Sequence, residues 1–248
     1  MAGEKYPSPP ITEAVIEIRF AAVIDEALRR KASDRFADIY PVAAEQRLSE
    51  ISVDLDHANV KIDTLPPTFR RSNRDENEIL LINPQSLGVS QLAVYPGWDH
   101  FFGRFERDWR IWKSIGGFNK LERVGMRFIN RIDVPLVDNI ARHEDYLTVQ
   151  VQLPPEYLLT IGYSLNARLP LHDIKSFANV NSGTTESPVP GHAAFLLDID
   201  ILRAVDPPSK DGDIIDLLHA MRSEKNRLFE SFIKDAARER FRHDQSLR

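Results

Sequence analysis

Asp198 and Asp200 stand two residues apart in Leu197-Asp198-Ile199-Asp200-Ile201. Alternate side chains of an extended strand share a face, so the two carboxylates would point the same way and offer hard oxygen ligands to a cation such as Mg²⁺. Two further segments carry charge in the same rhythm. Glu13, Glu17 and Arg19 alternate with Ile16, Ile18 and Phe20, and Arg127, Arg131 and Asp133 alternate with Met126, Phe128 and Ile132. Set side by side, Glu13, Glu17, Arg19, Arg127, Arg131 and Asp133 would line a polar ligand cleft. Asp198 and Asp200 would be its metal ligands, and the guanidinium forks would take phosphates. The plainer reading makes each charged row the wet side of a strand, with Leu197, Ile199 and Ile201 in the core.

No other constellation signals catalysis. The seven histidines lack metal-ligand spacing such as H-E-x-x-H, and there is no G-x-S-x-G, P-loop or G-x-G-x-x-G. The absence of cysteine removes disulfides, thiolate zinc sites and cysteine nucleophiles together. Tunnel-shaped triphosphate-processing enzymes also point charged residues inward from antiparallel strands. Their opening signature alternates glutamates before a lysine, whereas here Val15 interrupts the alternation and arginine stands in place of lysine. The catalytic residues are therefore unknown, and the reading leans away from an enzyme.

A net charge of −5 argues against a protein that coats nucleic acid. The clusters Arg29-Arg30-Lys31 and Arg70-Arg71 with Arg74 read as solvated surface. Arginine outnumbers lysine by more than two to one, which reflects either base composition or recognition of carboxylate and phosphate. Met1 to Ser8 has no apolar signal-peptide core, and no apolar run approaches the roughly 20 residues of a membrane span. The expectation is a soluble bacterial protein of the cytoplasm, with no cofactor unless Mg²⁺ serves the metal reading.

The elements that would position these residues follow from hydrophobic period. A strand over Ile11 to Phe20 leads into a helix from Asp25 to Tyr40. Closely spaced strands then form an antiparallel meander near Thr68–Arg74, Glu78–Asn83 and Gly88–Tyr95. Pro96-Gly97 opens a helix whose stripe holds Trp98, Phe101, Phe102, Phe105, Trp109 and Trp112, and Gly116-Gly117 stops it. That stripe is a core-packing face, with a stacking platform for bases or sugars as the alternative. Its polar side, Arg104 to Arg110, reads as exposed and salt-bridged. A long strand runs from Leu121 to Val134, and others are expected near Tyr157–Leu169, Asp173–Asn181 and Ala193–Val205. Ser182 to His192 reads as a hairpin tip or mobile flap. One amphipathic helix from about Asp213 to Phe241 closes the chain and is a candidate docking element or homodimer seam.

The fold class expected is α+β, with antiparallel sheets in two linked halves, residues 1–96 and 97–248, covered by three main helices. A faint echo between Glu13–Phe20 and Glu122–Phe128 fits a duplication of such halves, and fits chance as well.

The opening Pro9-Pro10-Ile11-Thr12-Glu13-Ala14-Val15-Ile16-Glu17-Ile18-Arg19-Phe20 resembles the start of a sporadically distributed bacterial family of unknown function. Arg123 to Ile132 is similar to that family's long central strand. Asn226 to Ile233, with Arg238 and Phe241, is similar to its closing helix. The resemblance implies a complete protein of about this length with patchy occurrence, as in mobile or defence-related cassettes. It carries no activity and no catalytic residues. The function expected is thus a non-catalytic binding or regulatory subunit acting with a protein partner or as a homodimer, away from membranes and nucleic acid. The alternative is a metal-dependent phosphohydrolase or nucleotide-binding protein that uses the charged strand faces.

Overall fold

Residues 6–47, 66–117, 120–149, 154 and 162–242, and the backbone of 49–54 and 59–64, are described by a computed structural model of the chain. The element order is β1 (Ile11–Phe20), α1 (Glu26–Arg35), β2 (Val42–Gln46), β3 (Ser49–Asp54), β4 (Asn59–Thr64), β5 (Thr68–Ser72), β6 (Glu78–Ile82), β7 (Ser86–Leu92), α2 (Trp98–Gly116), β8 (Leu121–Pro135), α3 (His143–Tyr146), β9 (Ser164–Leu171), β10 (Ser176–Glu186), β11 (His192–Arg203), α4 (Asp211–Phe232) and α5 (Asp235–Arg242).

The α+β class with antiparallel strands is present, but the sheets are not divided between two halves. Nine strands form one sheet in the order β2-β5-β6-β7-β1-β8-β11-β10-β9, and β3 pairs separately with β4. The sheet is single because β1 and β8, each expected to begin its own half, hydrogen-bond to one another. The Arg131 amide donates to the Pro10 carbonyl at 2.9 Å, and the Ala21 amide donates to the Lys120 carbonyl at 2.9 Å. Two long strands of matching apolar period satisfy their backbone groups in this way instead of presenting two open edges.

By packing, the chain divides into two compact units that share these strands. One comprises Met1–Ala14, Ala93–Tyr95 and Gly125–Arg248, and the other Val15–Leu92 and Pro96–Val124.

In the second of these, Ile16, Ile18 and Phe20 of β1 are buried, as alternation requires. α2 supplies the aromatic stripe against them. Phe20 stacks on Trp109 and Trp112 at centroid separations of 6.4 and 5.5 Å. Every ring of the stripe is at most 8% exposed, so the stripe is core and is closed to bases or sugars. Gly117, at φ 68, ends α2 with its amide on the Lys113 carbonyl. The polar side of α2 departs from its expected exposure, for Arg104 and Asp108 are buried. Asp108 accepts from the Tyr40 hydroxyl at 2.6 Å, and Arg107 donates to both groups. Arg104 donates to Gln91 and to the Ser90 carbonyl. The basic clusters are likewise not wholly on the surface. Arg29 is buried with donors on the Ile24 and Pro67 carbonyls, and Arg71 is buried on Ser33 and Tyr40. A guanidinium can be buried when backbone oxygens replace its water.

In the other unit, Met126, Phe128 and Ile132 of β8 and Leu197, Ile199 and Ile201 of β11 form the core with Ile214, Leu218 and Met221 of α4. One expectation holds in part and one fails here. Of the two readings of Ser182 to His192, the hairpin tip holds and the flap does not, because β10 continues to Glu186 in register with β11 and only the turn before His192 lies outside the strands. The glycine that suggested a loop, Gly183, instead permits close approach, since a Cβ there would lie 2.9 Å from the Tyr163 carbonyl oxygen. The terminal helix is also not continuous. Thr148 and Lys234 donate to the Phe232 and Tyr146 carbonyls at 3.0 and 2.8 Å, and Ile233 forms a β-bridge with Leu147. That pairing interrupts the helix without proline or glycine, and α5 starts anew at Asp235. The strand expected from Tyr157 falls partly on residues outside those described; its described part is β9. No helix among the described residues is long and apolar enough to cross a membrane.

Trp112 is 1% exposed and stacked on Phe20. Trp112→Ala is expected to lower unfolding free energy by about 3–5 kcal/mol, measured by urea denaturation. A loss under about 1 kcal/mol would show that the stripe is not the core of its unit.

Candidate functional site

Arg127 leaves β8 on the side opposite Met126 and Phe128 and reaches β11. Its Nε and Nη2 donate to the two carboxylate oxygens of Asp198 at 2.9 and 2.8 Å. The fork matches the carboxylate plane, which makes this a directional, charge-assisted pair. Asn181 of β10 faces Asp198 in the strand register and donates to the same carboxylate at 2.9 Å. Asn166 of β9 faces Asn181 and donates to its side-chain oxygen. A row of hydrogen bonds thus crosses four strands on one face. Asp198, 3% exposed, lies beneath it, and Arg127, 48% exposed, lies at its surface. The Asp198 hydrogen bond raises the Arg127 pKa further, and the charges of Asp200 and Glu13 add to it.

One step along the strands, Asn179 faces both Asp200 and Arg168. The Arg168 guanidinium sits over the Phe177 ring, 3.5 Å from its centroid. Exposed Asn166 and Arg168 complete the face.

The other candidates divide among several partners. Arg131 donates through Nε to Asp133 at 3.2 Å, and the second Asp133 oxygen accepts from Ser187 at 2.7 Å. This pair borders a cavity of about 170 Å³ that is also lined by Ser8, Thr12 and Arg240. Glu17 pairs with Arg123, and Arg19 with Glu122 at 2.8 Å, in the unit formed by Val15–Leu92 and Pro96–Val124. Glu13, Asp198 and Asp200 therefore all act on Arg127, Arg131 and Asp133 form a neighbouring pair, and Glu17 and Arg19 have their own partners.

Asp198 and Asp200 share a face, as the spacing requires. Both oxygens of Asp198, however, already accept from Arg127 or Asn181. A cation there would have to displace or share those donors. Among the described residues, no group of three or more histidines and carboxylates is placed to hold a metal ion.

Sequence reasoning did not single out Asn166, Asn181, Arg168, Phe177 or Arg240. Asn179 and Asn181 do repeat the two-residue spacing of Asp198 and Asp200, and that parallel was the available signal. Lys225 was missed as well. It lies in the apolar stripe of α4, 9% exposed, with Nζ 4.2 Å from the centre of the Phe128 ring. Burial, aided by the Arg222 charge, pushes its pKa down to about 8, against a partial opposing pull from Glu230.

No family model matches the chain, and no match is found among curated proteins.

Two outcomes follow from these geometries. In a double-mutant cycle of Arg127→Gln and Asp198→Asn, the coupling is expected at about 1–2 kcal/mol, reduced from the value of a fully buried pair because Arg127 is half exposed. A coupling near zero in urea denaturation would show the row to be adventitious. For Lys225, the unfolded chain holds its proton up to about pH 10.5 while the folded protein releases it near 8. The charging penalty is therefore complete below pH 8, and stability is regained as pH rises from 8 towards 10.5. Lys225→Met should gain on the order of 2–3 kcal/mol over wild type at pH 7 and lose most of that advantage by pH 10.5. An advantage independent of pH would sink this assignment.

Proposed function

We propose that the protein is a non-catalytic binding subunit that recognises a protein partner through the polar face of β8–β11. The reading is carried by Arg168 held over Phe177 beside the Arg127–Asp198–Asn181–Asn166 row. A partly buried aromatic supporting a planar cation, flanked by amides, provides the amphipathic contact groups that dominate protein interfaces. The hydrogen bonds across the row restrain Arg127 and the asparagines before a partner arrives, so less side-chain freedom is lost on binding. The guanidinium groups at the surface, Arg127 and Arg168, suit a partner that presents carboxylates and planar side chains.

The metal-dependent phosphohydrolase reading has less support from this face, because Asp198 is engaged by three donor atoms. A protein partner makes use of the row as it stands.

The test compares tagged wild type with Arg168→Glu in affinity purification from the native host, followed by reconstitution with the purified partner. One defined protein should be retained by wild type, bind it in reconstitution, and bind the variant at least tenfold more weakly. Recovery of wild type alone, or equal affinity for the variant, would falsify the proposal. A dimer of wild type that Arg168→Glu dissociates would reassign the face to a second copy of this chain and overturn the heterologous partner.

A further inference from the structure

The cavity beside Arg131 is built by four distant segments of the chain, one of them Ala93 alone. Ser8, Pro9 and Pro10 come from the entry to β1, Arg131 from β8, and Arg240 with Phe241 from α5. Backbone bonds hold these walls in place. The Ser8 amide donates to the Phe241 carbonyl at 3.1 Å, and the Arg131 amide to the Pro10 carbonyl. Tyr6 packs edge-on against Phe241 at 5.4 Å and donates to Glu230, which also accepts from Arg238. Consecutive prolines restrict the backbone on the remaining side.

Donors inside this frame exceed acceptors. Asp133 holds Arg131 by Nε alone, and Ser187 occupies the other carboxylate oxygen. The terminal nitrogens of Arg131 make no hydrogen bond among the described residues. Arg240 makes no hydrogen bond or ion pair among them either, and its Nε is buried without a partner. The Ser8 hydroxyl also has no acceptor among them. Two permanent positive charges and one carboxylate line the cavity, so it keeps a net positive charge. A buried N–H without an acceptor is unfavourable, and two guanidinium groups in one cavity repel each other until an anion comes between them.

We infer that this cavity is a binding site for a small oxyanion, a phosphate or carboxylate group, held by Arg131, Arg240 and the Ser8 hydroxyl. A guanidinium fork meets either anion with parallel hydrogen bonds. The apolar sides of Pro9, Pro10 and Phe241 would exclude water from those bonds and strengthen them. Asp133 is the positioning residue, fixing Arg131 through Nε so that its remaining donors face the anion. The site uses none of the residues that carry the protein-partner proposal, so either can fail alone.

The experiment titrates the full chain with inorganic phosphate and, separately, with acetate. Each is matched by chloride at equal ionic strength, with melting temperature and amide NMR shifts as readouts. Wild type should respond saturably to at least one anion beyond the chloride control, and the stronger response assigns phosphate or carboxylate. Arg240→Gln, which removes no hydrogen bond or ion pair among the described residues, should weaken the apparent Kd at least tenfold. Arg110→Gln, on the exposed side of α2, should leave it unchanged. Absence of a saturable response to either anion would overturn the inference, and so would equal affinity in Arg240→Gln.

Discussion

Alternation along β8 is the constraint on which the rest of the structure depends. Met126, Phe128 and Ile132 are buried, while Arg127 and Arg131 leave the strand on the other side. Phe128 anchors the core beneath α4, Arg127 starts the polar row, and Arg131 enters the cavity. A one-residue slip against β11 would exchange these roles, placing two guanidinium groups under α4 and an aromatic ring in water. The register is thus held by the apolar rows and by the bidentate fit of Arg127 to Asp198.

The two arginines differ in what the structure leaves for them to do. Arg127 spends its Nε and Nη2 on Asp198, so its charge is matched within the fold while its outer surface stays exposed. Among the described residues the Arg131 side chain is hydrogen-bonded through Nε alone, and the acid that holds it is shared with Ser187. Four residues apart on one strand, they differ in how completely a carboxylate neutralises each.

What was legible in the sequence was period and punctuation. The burial of Ile16, Ile18 and Phe20, the tryptophan stripe of α2 and the shared face of Asp198 and Asp200 all follow from spacing alone, because periodicity fixes side-chain direction. Partnership was not legible. The pairing of β1 with β8 merges what looked like two halves, and strand order is a long-range choice that neither strand encodes by itself. The carboxylate suited to Mg²⁺ by type is committed to Arg127, 71 residues away. Arg29, Arg71 and Arg104 looked like surface because side-chain type carries no record of the carbonyl and amide oxygens that solvate them in the interior.

The break in the terminal helix shows how one such long-range pairing creates chemistry. The stripe through Leu228, Phe229, Phe232 and Ile233 reads as continuous, and helix propensity alone would carry it onward. The backbone of 232–234 instead pairs with 146–148, which interrupts the i to i−4 ladder, and a new helix begins at Asp235. α5 then buries Ala237 and Phe241, and the Phe241 carbonyl receives the Ser8 amide. This docking fixes the level of Arg240, one residue before Phe241, against the proline-led entry to β1. The cavity therefore depends on an interruption that local sequence does not announce: the pairing of residues 146–148 with the end of α4 turns the chain so that α5 closes it.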